Sequence, residues 1–193
     1  MKNKKLRRMI AIGMLSSIAF LLHLINFPIP PFPNFLEVDF GDIPALVAMI
    51  IMGPLAGILV ELLKNVIDWV YTGSPTGVPV GHMANFVTGL LFILPTYFVY
   101  KKLSTKKGLG IGLVVGTISM AVGMSVLNYF VFMPMYNYFL NMPVETGAAL
   151  RATIVAGVLP FNIIKGVLVT IVFLLLFNVM GKWMTKERRS FQA

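Results

Sequence analysis

The sequence predicts an all-α integral membrane protein, a bundle of six transmembrane helices with both chain ends in the cytoplasm. Three observations carry that expectation. Of 193 residues, 58% are hydrophobic and 12% charged, against about 25% charged in an ordinary soluble domain. The mean hydropathy is +0.85. The basic residues gather at the ends of apolar runs: five at the N-terminus, four over 101–107 and four over 182–189, or 13 of the 16. The positive-inside rule places all three clusters on the cytoplasmic side. The +9 charge is therefore membrane topology, not a nucleic-acid footprint. A single domain over 1–193 in the lipid bilayer is expected, because spans of about 20 residues use almost the whole chain.

Helix 1 is expected over 8–26. Its basic start and apolar run resemble a signal peptide, but the run is long and ends in Phe27-Pro28-Ile29-Pro30 without a small-x-small cleavage pattern, so it is read as retained. The prolines that follow cannot continue a helix, and 27–40 is expected to be a long aromatic loop. Apolar sequence resumes at Asp42-Ile43-Pro44, an N-terminal signal of acidic cap and early proline.

Charge decides how the next stretch is divided. The first two basic clusters need an even number of crossings between them, so the chain is split at Gly53-Pro54 into helix 2 (42–52) and helix 3 (54–71). Helix 2 is short for a full span. A turn-rich loop over 72–80 leads to helix 4 (81–100), then helix 5 (109–132), a second loop over 133–148 that includes Glu145, and helix 6 (150–181), kinked near Pro160.

Several chemistries lack their residues. There is no cysteine, no G-x-x-x-x-G-K-[ST] phosphate loop, no H-E-x-x-H and no G-x-S-x-G, so no catalytic residue, resident cofactor or metal site is expected. His23 and His82 stand alone on different helices and read as structural.

Polar groups within apolar helices mark either function or a satisfied packing contact. Asn162 and Lys165 lie three apart, on one face of helix 6. They fit a ligand site in which an ammonium and an amide meet carbonyl or hydroxyl oxygens, or a structural pair with Glu61 or another helix. Asn128 on helix 5 can read a carbonyl and an N–H side by side, or make an interhelical hydrogen bond. Glu61, Asn65 and Asp68 share a face of helix 3, and Glu61 can pair with Lys64. A buried Glu61 would also suit a self-sufficient proton-coupled carrier. Asn85, one turn into helix 4, fits capping, packing or ligand contact.

The run from Phe32-Pro33-Asn34 through Glu37-Val38-Asp39-Phe40-Gly41-Asp42-Ile43-Pro44 to Leu46 resembles the first outer loop of the riboflavin-specific S components, the substrate-binding subunits, of energy-coupling factor (ECF) transporters. So do Gly53-Pro54-Leu55-Ala56-Gly57 with Glu61 to Asn65, Pro79-Val80-Gly81 with Ala84-Asn85-Phe86, Ser125 to Tyr129, and Leu159-Pro160-Phe161-Asn162-Ile163-Ile164-Lys165-Gly166. The resemblance spans nearly the whole chain.

It implies six helices, a first loop that lids the pocket, and high-affinity riboflavin binding from outside. It also implies that a membrane coupling subunit and two ATPase subunits lie on other chains. It carries Asn128, Asn162 and Lys165 to the polar edge of the flavin, with Leu36 and Phe40 as apolar wall and Asn85 or Asp42 for the ribityl hydroxyls. Many relatives have lysine at the position of Glu37, so Glu37 is expected to stand off the substrate. The family packs small residues of its first helix on the coupling subunit. Here that series reads Ala11, Leu15, Ala19, with Gly13 and Ser17 as a second small pair.

Overall fold

The structure, a computed structural model, describes residues 2–33, 35–75, 77–140 and 147–192. Its elements in chain order are α1 (Lys2–His23), β1 (Phe27–Pro28), β2 (Glu37–Val38), α2 (Asp42–Met52), α3 (Pro54–Thr72), α4 (Val80–Leu103), α5 (Lys106–Leu127), α6 (Met133–Leu140), α7 (Gly147–Ala152) and α8 (Leu159–Gln192). A π-helical turn at Asn128–Phe132 joins α5 to α6, and a second at Thr153–Val158 joins α7 to α8. The described residues thus form six helical rods. Four are long and apolar enough to cross a membrane; α2 is apolar but shorter.

The break between α2 and α3 has a local cause. Gly53 sits at φ +93°, a conformation that side chains resist, and Pro54 supplies the fixed φ of a first helical turn. Every residue of α2 is buried, so this short helix is the centre of the bundle. Leu46 and Met49 of α2, Phe92 and Ile93 of α4, Leu109, Leu113 and Met120 of α5 and Phe173 of α8 form the core around it. Large apolar side chains such as Ile118, Val122, Leu175 and Val179 cover the outside, as a lipid-facing surface requires.

Helices α4 and α5 approach closely through glycine. The Thr96 hydroxyl donates to the carbonyls of Phe92 (2.7 Å) and Gly112 (3.1 Å). A Cβ at Gly112 would stand 2.6 Å from the Thr96 carbonyl oxygen, and one at Gly116 2.5 Å from that of Phe92. Gly116→Val is therefore expected to push the helices apart and cost about 1–3 kcal/mol, read as a lower melting temperature in detergent.

Several boundaries differ from the sequence expectation. The 27–40 stretch is not wholly irregular: β1 and β2 pair antiparallel, Phe27 with Val38 and Pro28 with Glu37. Helix 5 continues past 132, because the π turn precedes Pro134 and leaves the proline in a fresh first turn. The expected loop over 133–148 is therefore helical at both ends, and Glu145 lies outside the described residues. The second π turn ends just before Pro160, whose missing N–H would interrupt a regular α-helical ladder. Helix α8 runs to Gln192 because its end is tied to α1. Arg7 pairs with Glu187, donates to the Ser190 hydroxyl (2.7 Å) and lies over the Phe191 ring. Both chain ends therefore share one end of the bundle.

Candidate functional site

At the other end of the bundle is a cavity of about 350 Å³, within the range of roughly 300–1,000 Å³ usual for small-molecule sites. The end of α1 contributes His23, and the following loop contributes Leu36, Glu37 and Asp39. Asp68 and Thr72 come from α3, and His82 and Asn85 from α4. Asn128 and Tyr136 come from the π turn and α6, and Phe161, Asn162 and Lys165 from α8.

The loop is seated by its apolar side chains. Leu36 packs against Met133, Leu150, Ile154 and Val158. Phe32 meets Phe161 edge-on at 5.8 Å, and Phe35 lies 6.2 Å from the Tyr136 ring. These contacts lay the loop across the cavity against the helices that carry the polar groups.

Both π turns position an asparagine. Asn128 is the first residue of one, and its side-chain amide donates to the Met124 carbonyl at 2.9 Å. Val158 is the last residue of the other, and its carbonyl accepts from the Asn162 amide at 2.8 Å. Each amide is thereby held in one orientation at the cavity wall, in the type of helix irregularity that recurs at functional sites. Asn85 adds a buried Oδ1 with no hydrogen-bond partner among the described residues. Such a group asks for a donor from a guest or a water.

Lys165 is not free. Its Nζ donates to Asp39 Oδ2 at 2.7 Å. Asp39 Oδ1 accepts the Gly41 N–H at 2.8 Å and lies 3.2 Å from His23 Nδ1. Burial alone would push the Asp39 carboxyl up. The Lys165 ammonium and the His23 contact outweigh it and hold the group well below the ordinary carboxylate range. Its contribution to stability is thus present at neutral pH and is lost only as pH falls below about 4. The lysine is locked to an internal carboxylate, but with a cavity beside it and its neighbours Asn162 and Asn128 on the same wall.

Five of the seven expected contacts line the cavity: Leu36, Asn85, Asn128, Asn162 and Lys165. Phe40 and Asp42 do not. Phe40 packs on the core, and Asp42, buried at the start of α2, receives the Lys64 ammonium at 2.9 Å. Glu37, expected to stand off the substrate, is at the cavity wall. His23 and His82 do not stand alone; both meet Asp68. Glu61 pairs with Lys64 and takes a hydrogen bond from Asn65, and it is not part of the lining. On α1, Ala19 is fully buried and Ala11 and Leu15 pack against the core, whereas Gly13 and Ser17 are exposed. The outward small pair is the second one. Among the described residues no group of three His, Cys, Asp or Glu could hold a metal ion.

The family model for the ECF transporter substrate-specific component matches residues 7–177. The chain belongs to that family. With four helices able to cross a bilayer, this S component is a multi-pass protein of the cell membrane. It is 50% identical over 184 residues to the riboflavin transporter FmnP of Bacillus subtilis (strain 168), covering 95% of this chain and 97% of that one. It is 43% identical over 180 residues to the riboflavin transporter RibU of Staphylococcus aureus (strain TCH60), covering 93% of each. A solved structure described as "Structure and mechanism of the S component of a bacterial ECF transporter" matches with a TM-score of 0.79 and 42% identity, over 93% of this chain and 98% of that one.

Proposed function

We propose that this S component captures riboflavin in the cavity beneath the 24–41 loop and delivers it for uptake. A membrane coupling subunit and two ATPase subunits on other chains drive the transport. The observation that carries the reading is the wall where Asn128, Asn162 and Lys165 converge, in a chain half identical to a riboflavin transporter. The pyrimidine edge of the flavin presents two carbonyls and an imide N–H. Two oriented amides and an ammonium complement those groups. Leu36 and the loop aromatics suit the methylated benzene edge, and the unpartnered Asn85 Oδ1 suits a ribityl hydroxyl.

The end-to-end arrangement supports an outward-facing cavity. The chain ends lie at the opposite end of the bundle, and two of the three basic clusters lie in these terminal segments, which the positive-inside rule assigns to the cytoplasm. No chemical step is assigned to the chain. A proton-coupled carrier working through Glu61 gains no support from a residue that lies off the cavity.

Titration of the purified chain with riboflavin tests the proposal. One site of micromolar affinity or tighter, about −8 kcal/mol or better, is the expected result. Binding no tighter than about millimolar would overturn it. Proteoliposomes holding this chain alone should accumulate no riboflavin until the coupling and ATPase subunits are added. Asn162→Leu is expected to weaken binding by about 5- to 30-fold, the loss of about 1–2 kcal/mol from one buried hydrogen bond, with a nearly unchanged melting temperature.

A further inference from the structure

His23 stands at the end of α1 with its side chain 12% exposed, between two buried carboxylates from different elements. Its Nδ1 lies 3.2 Å from Asp39 Oδ1 of the loop, and its Nε2 lies 3.2 Å from Asp68 Oδ2 of α3. A neutral imidazole has one N–H and one lone pair. In this position its lone pair would face a carboxylate oxygen on one side or the other. Nδ1 makes no aligned hydrogen bond among the described residues, so the contact with Asp39 is one of charge, and only the imidazolium attracts both carboxylates at these distances. The same ring therefore ties the loop to the helical frame from both sides only while it carries a second proton, as the imidazolium.

The surrounding charges all belong to the same end of the bundle. Asp39 and Glu37 face the ring's region from the loop, Asp68 and Lys64 from α3, His82 from α4 and Lys165 from α8. His82 Nε2 also reaches Asp68 Oδ2, at 3.1 Å, and cannot reach the loop through that bond. Lys165 holds the other oxygen of Asp39. His23 is thus the titratable group that links the loop carboxylate to a helix other than α8.

We propose that His23, as an imidazolium clasping Asp39 to Asp68, is a positioning residue that keeps the 24–41 loop closed over the cavity, so that opening of the loop is linked to the release of one proton. The inference rests on the reading of the cavity as the riboflavin site. Once the ring is neutral, one of its two carboxylate contacts becomes repulsive, and the loop keeps only the Lys165 contact and its apolar seating. A trapped ligand then escapes more readily.

Two measurements test it. The first needs no ligand. The chain has only two histidines, so ¹⁵N-histidine NMR of the detergent-solubilised protein, assigned with His82→Gln, reads each ring directly. The His23 ring is expected to carry protons on both nitrogens at neutral pH. A neutral tautomer there would overturn the proposal. The second follows riboflavin release after dilution as pH is raised stepwise from about 5.5 to about 9, a range that brackets histidine titration. The release rate is expected to rise, by up to about tenfold per pH unit, the limit for one linked proton. His23→Gln, checked for folding by its melting curve, should release quickly at every pH and lose the slope. Wild-type protein that binds riboflavin with a pH-independent release rate overturns the clasp whatever the variant does. Protein that binds no riboflavin at any pH overturns the site assignment instead, and the NMR result then decides the clasp alone.

Discussion

Replacing Lys165 with methionine is expected to weaken binding by about 10- to 150-fold and to lower the melting temperature by about 10 °C. Two separate losses combine. The Asp39 carboxylate, 1% exposed, loses the ammonium at 2.7 Å and keeps only the Gly41 N–H and His23. Breaking a buried ion pair on one side costs about 3–5 kcal/mol, which for a chain of this size corresponds to about 10 °C. The ligand independently loses a charged donor at its polar edge, worth about 1.5–3 kcal/mol. The double variant Lys165→Met with Asp39→Asn separates the two. Removing the orphaned charge should restore most of the melting temperature and leave binding weak. Recovery of both together would mean that the lysine serves the fold alone.

The second large effect is expected at Lys64, and it should fall on stability instead of binding. Lys64 is fully buried and is shared by Asp42, at 2.9 Å, and Glu61. Those carboxylates are themselves 1% and 0% exposed, and Asp42 Oδ2 and Glu61 Oε2 have no hydrogen-bond partner among the described residues. Lys64→Met leaves two uncompensated carboxylates in the bundle. The cost is at least the 3–5 kcal/mol of one broken buried pair, enough to remove much of the stability of a typical domain. Most of the protein should fail to fold at 37 °C. The fraction that does fold should bind riboflavin normally, because Lys64 does not line the cavity. Gly89 shows how tightly this cluster is enclosed: a Cβ there would meet the Glu61 carboxyl at 2.5 Å. A stable Lys64→Met protein with lost binding would move this cluster from the fold to the site.

Much of the architecture was legible because its causes are local. The α2–α3 break follows from one glycine and one proline in adjacent positions. Asn128, Asn162 and Lys165 are visible as polar groups that an apolar helix would not otherwise keep. What was hidden depends on contacts across the chain. His23 and Asp68 are 45 residues apart in the sequence, a separation that carries no periodic signal, and their meeting is fixed only by the packing of α1 on α3. Asp39 and Lys165 are separated by 126 residues, so the partner of the lysine could not be read in advance. The π turns have no sequence signature of their own; Pro134 and Pro160 mark where the helix must adjust but not how. Asp42 sits where a helix cap belongs, and nothing local reveals that Lys64 claims it. On α1 the spacing of small residues repeats on two faces, and only the buried position of Ala19 shows which face the bundle takes.

A structure determined with riboflavin bound tests the central claim most directly. The account predicts the flavin's pyrimidine edge within hydrogen-bond distance of Lys165 Nζ and the Asn128 and Asn162 amides, with the 24–41 loop closed over the benzene edge. A flavin seated elsewhere, with those three side chains contacting only protein, would contradict it.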